Sequence, residues 1–228
     1  MDLMSYFLPA MEIVWINILL SGDNAVVIAL ACRSLPEHQR NKAVMAGALA
    51  AVALRIVFTL VATEMLSLPW VKLIGGLLLF YIAIKLMIPE DEDTDIAAHS
   101  SLWKSIQTIA IADIVMSLDN VIAIAAAAKG NWNLIIFGLV VSLPLVVFGS
   151  QLIMKLMSRF PWLVWAGAGL LGYIAADIMI EDPSIAHLFH GTVAHWAAKI
   201  AGVVIVLGVG FALRHKKLEA NKKSHTPA

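Results

Sequence analysis

Two acidic–amide pairs lie inside long apolar stretches of this sequence. They are Asp23-Asn24 and Asp119-Asn120, and a serine stands two residues before each aspartate. A carboxylate at membrane depth costs roughly 3 kcal/mol or more, so it needs either a partner or a function. Because the same pair occurs twice in matching surroundings, we predict that the two segments face one another and form one cation site.

The ionisable residues at membrane depth carry more negative than positive charges. Asp23, Asp113 and Asp119 are three deep carboxylates, whereas Arg55 is the one deep base. Structural salt bridges alone would leave the charges balanced, because an unpaired buried carboxylate is expensive or becomes protonated. The surplus of two negative charges therefore indicates a divalent cation or two protons. Arg55 either neutralises one aspartate when the site is empty or satisfies one permanently; the sequence leaves both readings open.

The donor atoms in these segments are oxygens, which suit hard ions such as Mn²⁺, Mg²⁺ or Ca²⁺. No histidine or cysteine lies at comparable depth to favour Zn²⁺ or Cu⁺. The metal-ligand candidates are Asp23, Asn24, Asp113, Asp119 and Asn120. The accessory candidates are Asn17, Ser21, Ser117, Glu12 and Arg55.

Helical spacing places several of these candidates on common faces. Three polar residues stand at i, i+4 and i+7 in each segment, and such residues share one face of a helix. They are Asn17, Ser21 and Asn24 in the first segment and Asp113, Ser117 and Asn120 in the second. Asp23 and Asp119 lie about a third of a turn away from these faces, so each reaches the site only if its helix is distorted locally or a neighbour covers the edge. Gly22 favours such a distortion in the first segment.

The composition is that of a membrane protein. The 228 residues are 61% hydrophobic and only 14% charged, whereas soluble domains are about 45–50% apolar and 25% charged. The single cysteine, Cys32, excludes an internal disulfide. We expect the first apolar run to remain as a transmembrane helix, because it lacks the basic region and cleavage site of a signal peptide.

Seven apolar stretches are long enough to cross a bilayer, which takes about 20 helical residues. They are 8–30, 43–66, 70–88, 105–128, 132–154, 162–180 and 193–213. Lysines and arginines concentrate in the odd-numbered connections and after the last span, which predicts an external N-terminus and a cytoplasmic C-terminus. We therefore expect an all-α, multi-pass protein of the cell membrane, the inner membrane of a bacterium. Its transmembrane domain would occupy 1–213, followed by an irregular, basic cytoplasmic tail at 214–228.

An internal repeat relates the two halves. Pairing Ser21 with Ser117 also pairs the Asp-Asn motifs, and Pro69 to Met87 matches Pro161 to Met179 through Pro-Trp and Tyr-Ile-Ala. Spans 1–3 (about 8–88) and spans 4–6 (about 105–180) are thus predicted to be two copies of one unit, with span 7 (about 193–213) added. An odd number of spans per unit makes the repeat inverted, an architecture typical of secondary transporters with a midplane site.

Two polar clusters lie outside the predicted core. The acidic run 90–95 is read as a solvated linker, with a metal-sensing loop as the alternative. His187, His190 and His195 lie near Glu181 and Asp182 in the last outer connection. They are read as ordinary loop polarity, with a peripheral metal site as the alternative.

At the Asp-Asn motifs this sequence resembles the TerC family of membrane proteins. The resemblance rests on Ser21-Gly-Asp-Asn24 with Glu12 upstream and on Asp113-Ile-Val-Met-Ser-Leu-Asp-Asn120, and it covers spans 1–6. It implies a small carrier related to the LysE-type exporter superfamily, with export of metal ions, especially Mn²⁺, as the usual activity. It likewise implies that the five ligand candidates lie at the ion site.

Together these inferences predict a transporter that exports a divalent metal, foremost Mn²⁺, by alternating access between the two halves, with proton exchange as one coupling. The expected partners are the lipid bilayer and the transported ion; no nucleic acid, resident cofactor or enzymatic activity is expected, and the oligomeric state stays open. One alternative is an exporter of small organic cations or amino acids. A second alternative is a membrane scaffold without transport activity.

Overall fold

The computed structural model describes residues 11, 14, 15, 22–65, 68–88, 95–128 and 132–224, with all their side chains except those of 59–65, 95–100, 118–128, 134 and 220–224. Within these residues the secondary structure is helical and no strand occurs. The seven α-helices are α1 Gly22–Cys32, α2 Glu37–Met65, α3 Val71–Met87, α4 Asp95–Ala128, α5 Trp132–Arg159, α6 Trp162–Ile180 and α7 Gly191–Ser224. A 3₁₀ turn at Ala186–Leu188 lies between the last two helices. The all-α prediction is confirmed for this part of the chain.

Several helices are longer than the apolar stretches that predicted them. Helix α2 begins at Glu37 rather than at residue 43, and α4 begins at Asp95 rather than at residue 105. Apolar runs identify only the part of a helix that suits lipid, whereas backbone hydrogen bonding continues through polar residues into water. The connection 89–104 is correspondingly shorter than predicted. Residues 89–94 are not described, nor are residues 8–10, 12, 13 and 16–21 of span 8–30.

The predicted irregular tail is helical over most of its length. Helix α7 continues to Ser224, so the prediction of irregular structure from residue 214 is wrong up to that point. Residues 214–224 contain four Lys, one Arg, one Leu, one Glu and one Ala, which are good helix formers. His215 and Glu219 also pair at i, i+4 across 3.2 Å, an arrangement that stabilises exposed helices.

Four helical segments have both the length and the apolar composition to cross a membrane. Among the described residues they are Glu37–Phe58, Ile135–Arg159, Trp162–Ile180 and Gly191–Glu219, with Gly22–Cys32 as a shorter apolar helix. Large apolar side chains face outward, including Phe148 at 69% and Val204 at 63% exposure. Such a surface is stable only in lipid or against another protein. The full seven-span count and the orientation stay predictions.

Helix packing pairs the two halves of the chain. Helix α2 packs mainly on α4, α1 on α5, and α3 on α6, while α7 lies along α6 and α3. One buried cluster joins α1, α3, α4, α5, α6 and α7 around residues such as Leu79 and Leu171. A second joins α1, α2, α4 and α5 around Val44 and Ile109. The helices that carry the Asp-Asn motifs are therefore held in the interior by neighbours from the other half.

Side-chain contacts fix the direction of the helices. The carboxylate of Asp182, just after α6, accepts hydrogen bonds at the start of α3, so α3 and α6 run antiparallel. At the other end, the Arg33 Nη2 atom donates to the carbonyl of Leu86 at 2.7 Å. The Ser105 hydroxyl donates to the carbonyl of Ala31 at 2.7 Å. The ends of α1 and α3 and the third turn of α4 therefore meet at one end of the bundle.

Candidate ion site

Arg55 of α2 and Asp113 of α4 form a buried ion pair. The Arg55 Nε atom donates to Asp113 Oδ2 at 3.2 Å, and its Nη2 atom donates to Oδ1. The two residues are only 4% and 8% exposed. A bidentate pair of this kind holds both groups in a defined orientation. Both of the roles left open for Arg55 require such a pair, and the aspartate that it neutralises in this structure is Asp113.

Asp23 and Asn24 lie on α1, where the sequence predicted the first half of the site. The Asn24 amide N–H donates to Asp23 Oδ1 at 2.8 Å. Asn24 is only 5% exposed, and its side-chain oxygen, Oδ1, has no hydrogen-bond partner among the described residues. A buried oxygen without a donor costs about 1–3 kcal/mol. It is therefore an acceptor in position for a cation or another donor.

The three charged groups share one electrostatic neighbourhood. Both Arg55 and Asp113 interact electrostatically with the half-buried Asp23 carboxylate. Arg55 donates two hydrogen bonds to Asp113, so among the described groups one positive charge faces two carboxylates. With both carboxylates ionised, the described part of the site carries a net negative charge, as a cation site requires.

Ser117 lies one turn beyond Asp113 and is fully buried. Its hydroxyl donates to the backbone carbonyls of Asp113 and of Ile114, the latter at 3.2 Å. Serine hydroxyls in helices commonly donate back to the preceding turn in this way. The hydroxyl proton is thus used within α4, while the oxygen lone pairs stay available to a cation.

The remaining candidates divide into two groups. The backbone of Asp119 and Asn120 is helical within α4, but their side chains are not among those described. Asn17, Ser21 and Glu12 lie wholly outside the described residues. The structure therefore brings together Asp23, Asn24, Arg55 and Asp113, with Ser117 adjacent on α4, and leaves the contribution of the other candidates as a prediction.

Comparison with known families identifies the chain. The model of the integral membrane protein TerC family matches residues 4–223. The chain belongs to the TerC family. The resemblance inferred from the Asp-Asn motifs is thereby confirmed, and with it the assignment as an integral membrane protein.

Curated relatives of this TerC protein are bacterial. It is 42% identical to the uncharacterized membrane protein YjbE of Bacillus subtilis (strain 168) over 190 residues, 82% of this chain and 87% of that protein. It is 29% identical to the uncharacterized membrane protein YceF of the same strain over 167 residues, 69% of this chain and 65% of that protein. It is 24% identical to the UPF0053 inner membrane protein YoaE of Escherichia coli (strain K12) over 191 residues, 75% of this chain but 37% of that protein. No solved structure matches it.

Asp182 of this TerC protein has a structural role, although the sequence suggested only a polar residue of a loop. Asp182 is completely buried, and its two oxygens accept the N–H groups of Trp70 and Leu73, each at 3.0 Å. Despite the opposing effect of burial, these bonds and those from Ser184 lower the pKa of Asp182 to about 2. Asp182 thus caps the N-terminus of α3 from the end of the neighbouring helix α6. One feature of the sequence pointed to such a cap. Trp70 precedes α3, and its side chain does not cap the helix, so another residue must do so.

The histidines of the last connection of this TerC protein do not converge on a metal. His195 Nε2 lies 3.1 Å from the carbonyl oxygen of Phe189. In the described portion of the chain no three His, Cys, Asp or Glu side chains come together as a metal site. The neighbouring acids are used otherwise: Glu181 pairs with Lys72 at 2.9 Å and Asp177 with Lys199 at 2.8 Å.

Proposed function

We propose that this TerC family protein exports a divalent metal cation, foremost Mn²⁺, across the cell membrane. The observation that carries the proposal is the buried side-chain oxygen of Asn24, which lacks a partner among the described residues and adjoins the Asp23 carboxylate. A hard divalent cation would satisfy this oxygen, and carboxylate and amide oxygens are the ligands that such ions prefer.

The charge balance supports a divalent ion over a monovalent one. Arg55 neutralises Asp113 in the described state, so Asp113 would flank the ion while Asp23 and Asp119 supply the charged ligands. Two ionised carboxylates at the ion would match the charge of one divalent cation. Asn24 and Asn120 would complete the coordination with neutral oxygens, and Ser117 with Asn17 and Ser21 would be accessory.

Helix packing supports transport by alternating access between two halves. In the predicted repeat, α1 corresponds to α4, α2 to α5 and α3 to α6. A contact between α1 and α5 must then have an equivalent contact between α4 and α2. Both contacts occur. The contact between the antiparallel helices α3 and α6 stays the same when the two halves are exchanged. This pattern is the one expected of an inverted repeat with a site between its halves, and rocking of one half against the other would expose the ion to each face in turn.

Mn²⁺ efflux from preloaded proteoliposomes tests the proposal. The Asp23→Asn and Asp119→Asn variants should reduce the rate at least about tenfold, because each removes a charged ligand from a desolvated site. Asp177→Asn is the matched control, since it also removes a carboxylate from a predicted span, but one that lies near the end of its helix and is paired with Lys199. Its efflux should stay close to that of the native chain.

Two outcomes would overturn the proposal. Native-like efflux by Asp23→Asn at equal protein content would remove Asp23 as an ion ligand. Absence of Mn²⁺ flux from the native chain, with a proton gradient imposed in either direction, would contradict metal export. Transport of amino acids or organic cations would then be measured in the same vesicles.

A further inference from the structure

A small basic cavity lies at the end of the bundle where α1, α3 and α4 meet. Its volume is about 50 Å³. One water-sized group requires about 10–15 Å³ of such space, so the cavity accommodates roughly three to five oxygen-sized groups, which is the size of a phosphate group. The polar residues that line it are Arg33, Ser34, Lys85, Lys104, Ser105 and Thr108.

The lining is strongly cationic. Arg33, Lys85 and Lys104 contribute three positive charges, and no aspartate or glutamate is among the described residues that line the cavity. The carboxyl ends of α1 and α3 oppose this with about half a negative charge each. The balance at the cavity stays positive, which favours an anion there.

Arg33 provides a donor that the described residues do not use. Its Nη2 atom donates to the Leu86 carbonyl at 2.7 Å, whereas its Nη1 atom is buried and has no acceptor among the side chains and backbone described. Burial and the nearby Arg214 lower the pKa of Arg33 to about 10, so the group is still charged at neutral pH. An anion would accept a hydrogen bond from the unused Nη1 atom and would reduce the repulsion between Arg33 and Arg214.

We propose that this cavity binds a phosphate-class anion, supplied either by the headgroup of an anionic phospholipid or by free phosphate. The Arg33 guanidinium and the Lys85 and Lys104 ammonium groups would hold the phosphate oxygens, with hydroxyl donors at Ser34 and Thr108. The site is separate from the ion site, because Ser105 precedes Asp113 on α4 by about 12 Å of helix rise. It does not depend on the function proposed above.

Binding to the purified protein in a neutral detergent tests the inference. Water-soluble dihexanoyl phosphatidylglycerol, dihexanoyl phosphatidylcholine and inorganic phosphate are the three probes, and the apparent Kd is measured for each. The site variant is Lys85→Gln with Lys104→Gln. Both lysines are exposed, so their replacement should leave the unfolding temperature without ligand unchanged. The control is Lys155→Gln with Lys216→Gln, which removes two equally exposed charges that do not line the cavity.

We expect phosphatidylglycerol to bind the native chain and the control equally, and the site variant at least about tenfold more weakly, because charge-assisted bonds are lost. Binding of phosphatidylglycerol without binding of inorganic phosphate assigns the site to a lipid headgroup, and binding of both assigns it to the phosphate group alone. Equal weakening in the control would overturn the proposal in favour of general charge attraction. Equal binding of phosphatidylcholine, or no binding to the native chain, would also overturn it.

The acidic run that follows Ile88 provides a last test. Glu90, Asp91, Glu92 and Asp93 begin two residues after Ile88, which lines the cavity. Their joint replacement by Gln and Asn should leave the affinity for phosphatidylglycerol within about threefold of the native value, an effect of long-range charge only. If only this variant binds the probes, the chain's own carboxylates occupy the cavity in the native protein, and the proposal is wrong.

Discussion

Arg55 and Asp113 are separated by 58 positions in the chain, yet they form its most buried ion pair among the described residues. A buried ion pair is stable only while both partners are present, because removal of one leaves an uncompensated buried charge. This asymmetry makes the pair accessible to experiment.

We expect Arg55→Met to destabilise the protein by about 3–5 kcal/mol, because Asp113 loses its counter-charge. The double variant Arg55→Met with Asp113→Leu should recover most of that loss, since two apolar side chains need no partner. Unfolding of the purified protein by denaturant in detergent measures both. A single variant as stable as the native chain would contradict the buried pairing.

Asp182 is the second residue whose role depends on a distant partner. Replacement by Asn at neutral pH should cost about 1–2 kcal/mol, as loss of a helix cap does. The folded-state pKa is about 2, below the ordinary value of 3.8, so the stabilisation is complete above about pH 4 and is lost as the pH falls toward 2.

The measurement is the unfolding temperature between pH 5 and pH 2.5 for the native chain and Asp182→Asn. The difference between the two should shrink as the pH falls. Glu181→Gln is the neighbouring control, because its exposed pair with Lys72 is worth at most about 1 kcal/mol. A difference that stays constant with pH would contradict the capping role of the ionised carboxylate.

At the scale of the elements, α6 and α7 approach closely through two glycines. A Cβ atom on Gly172 would lie 2.7 Å from the Gly202 carbonyl oxygen, and one on Gly202 would contact the Gly172 carbonyl oxygen more closely still. Small residues that allow such approach are a common means of packing membrane helices. The position of α7, and with it the lipid-facing side of the bundle, depends on this contact.

Gly202→Ala should therefore destabilise the protein by about 1–3 kcal/mol through overpacking, although alanine is the better helix former. Gly208→Ala on the same helix is the matched control, since no described atom lies within 4 Å of its added Cβ. That control should be neutral or stabilised by up to about 1 kcal/mol. Equal behaviour of the two variants would contradict the close contact.

At the scale of the whole molecule, basic side chains gather at the end where α1 and α3 finish. Arg33 and Lys85 lie there, Lys104 lines the same cavity, and Arg214 acts on Arg33. Loops rich in lysine and arginine stay in the cytoplasm, so this end is predicted to be the inner one. The capped end of α3, with Asp182, then faces outward.

Reporter fusions test this orientation. Green fluorescent protein joined after Ser224 should fluoresce, and alkaline phosphatase joined at the same place should be inactive, because its disulfides form only in an oxidising compartment. Alkaline phosphatase inserted between residues 183 and 190 should be active. The reverse pattern of activities would contradict the predicted orientation.

The local features of this protein were predictable from its sequence. The apolar runs indicated helices, and the predicted span 162–180 coincides with α6. The motif around Asp119 identified the family, and the isolated carboxylates identified Asp23 and Asp113 as residues that require a partner. These inferences succeed because helix formation and the cost of burying a charge depend on the residue itself and its near neighbours.

The tertiary structure decided which groups meet. It joined Arg55 to Asp113 rather than to Asp23, placed Asp182 against the start of α3, and gathered Arg33, Lys85 and Lys104 around one cavity. Each of these contacts joins residues on different helices, so it depends on which helices pack together and at what height. Lateral packing is set by the fit of many side chains at once, and no spacing within a single helix encodes it.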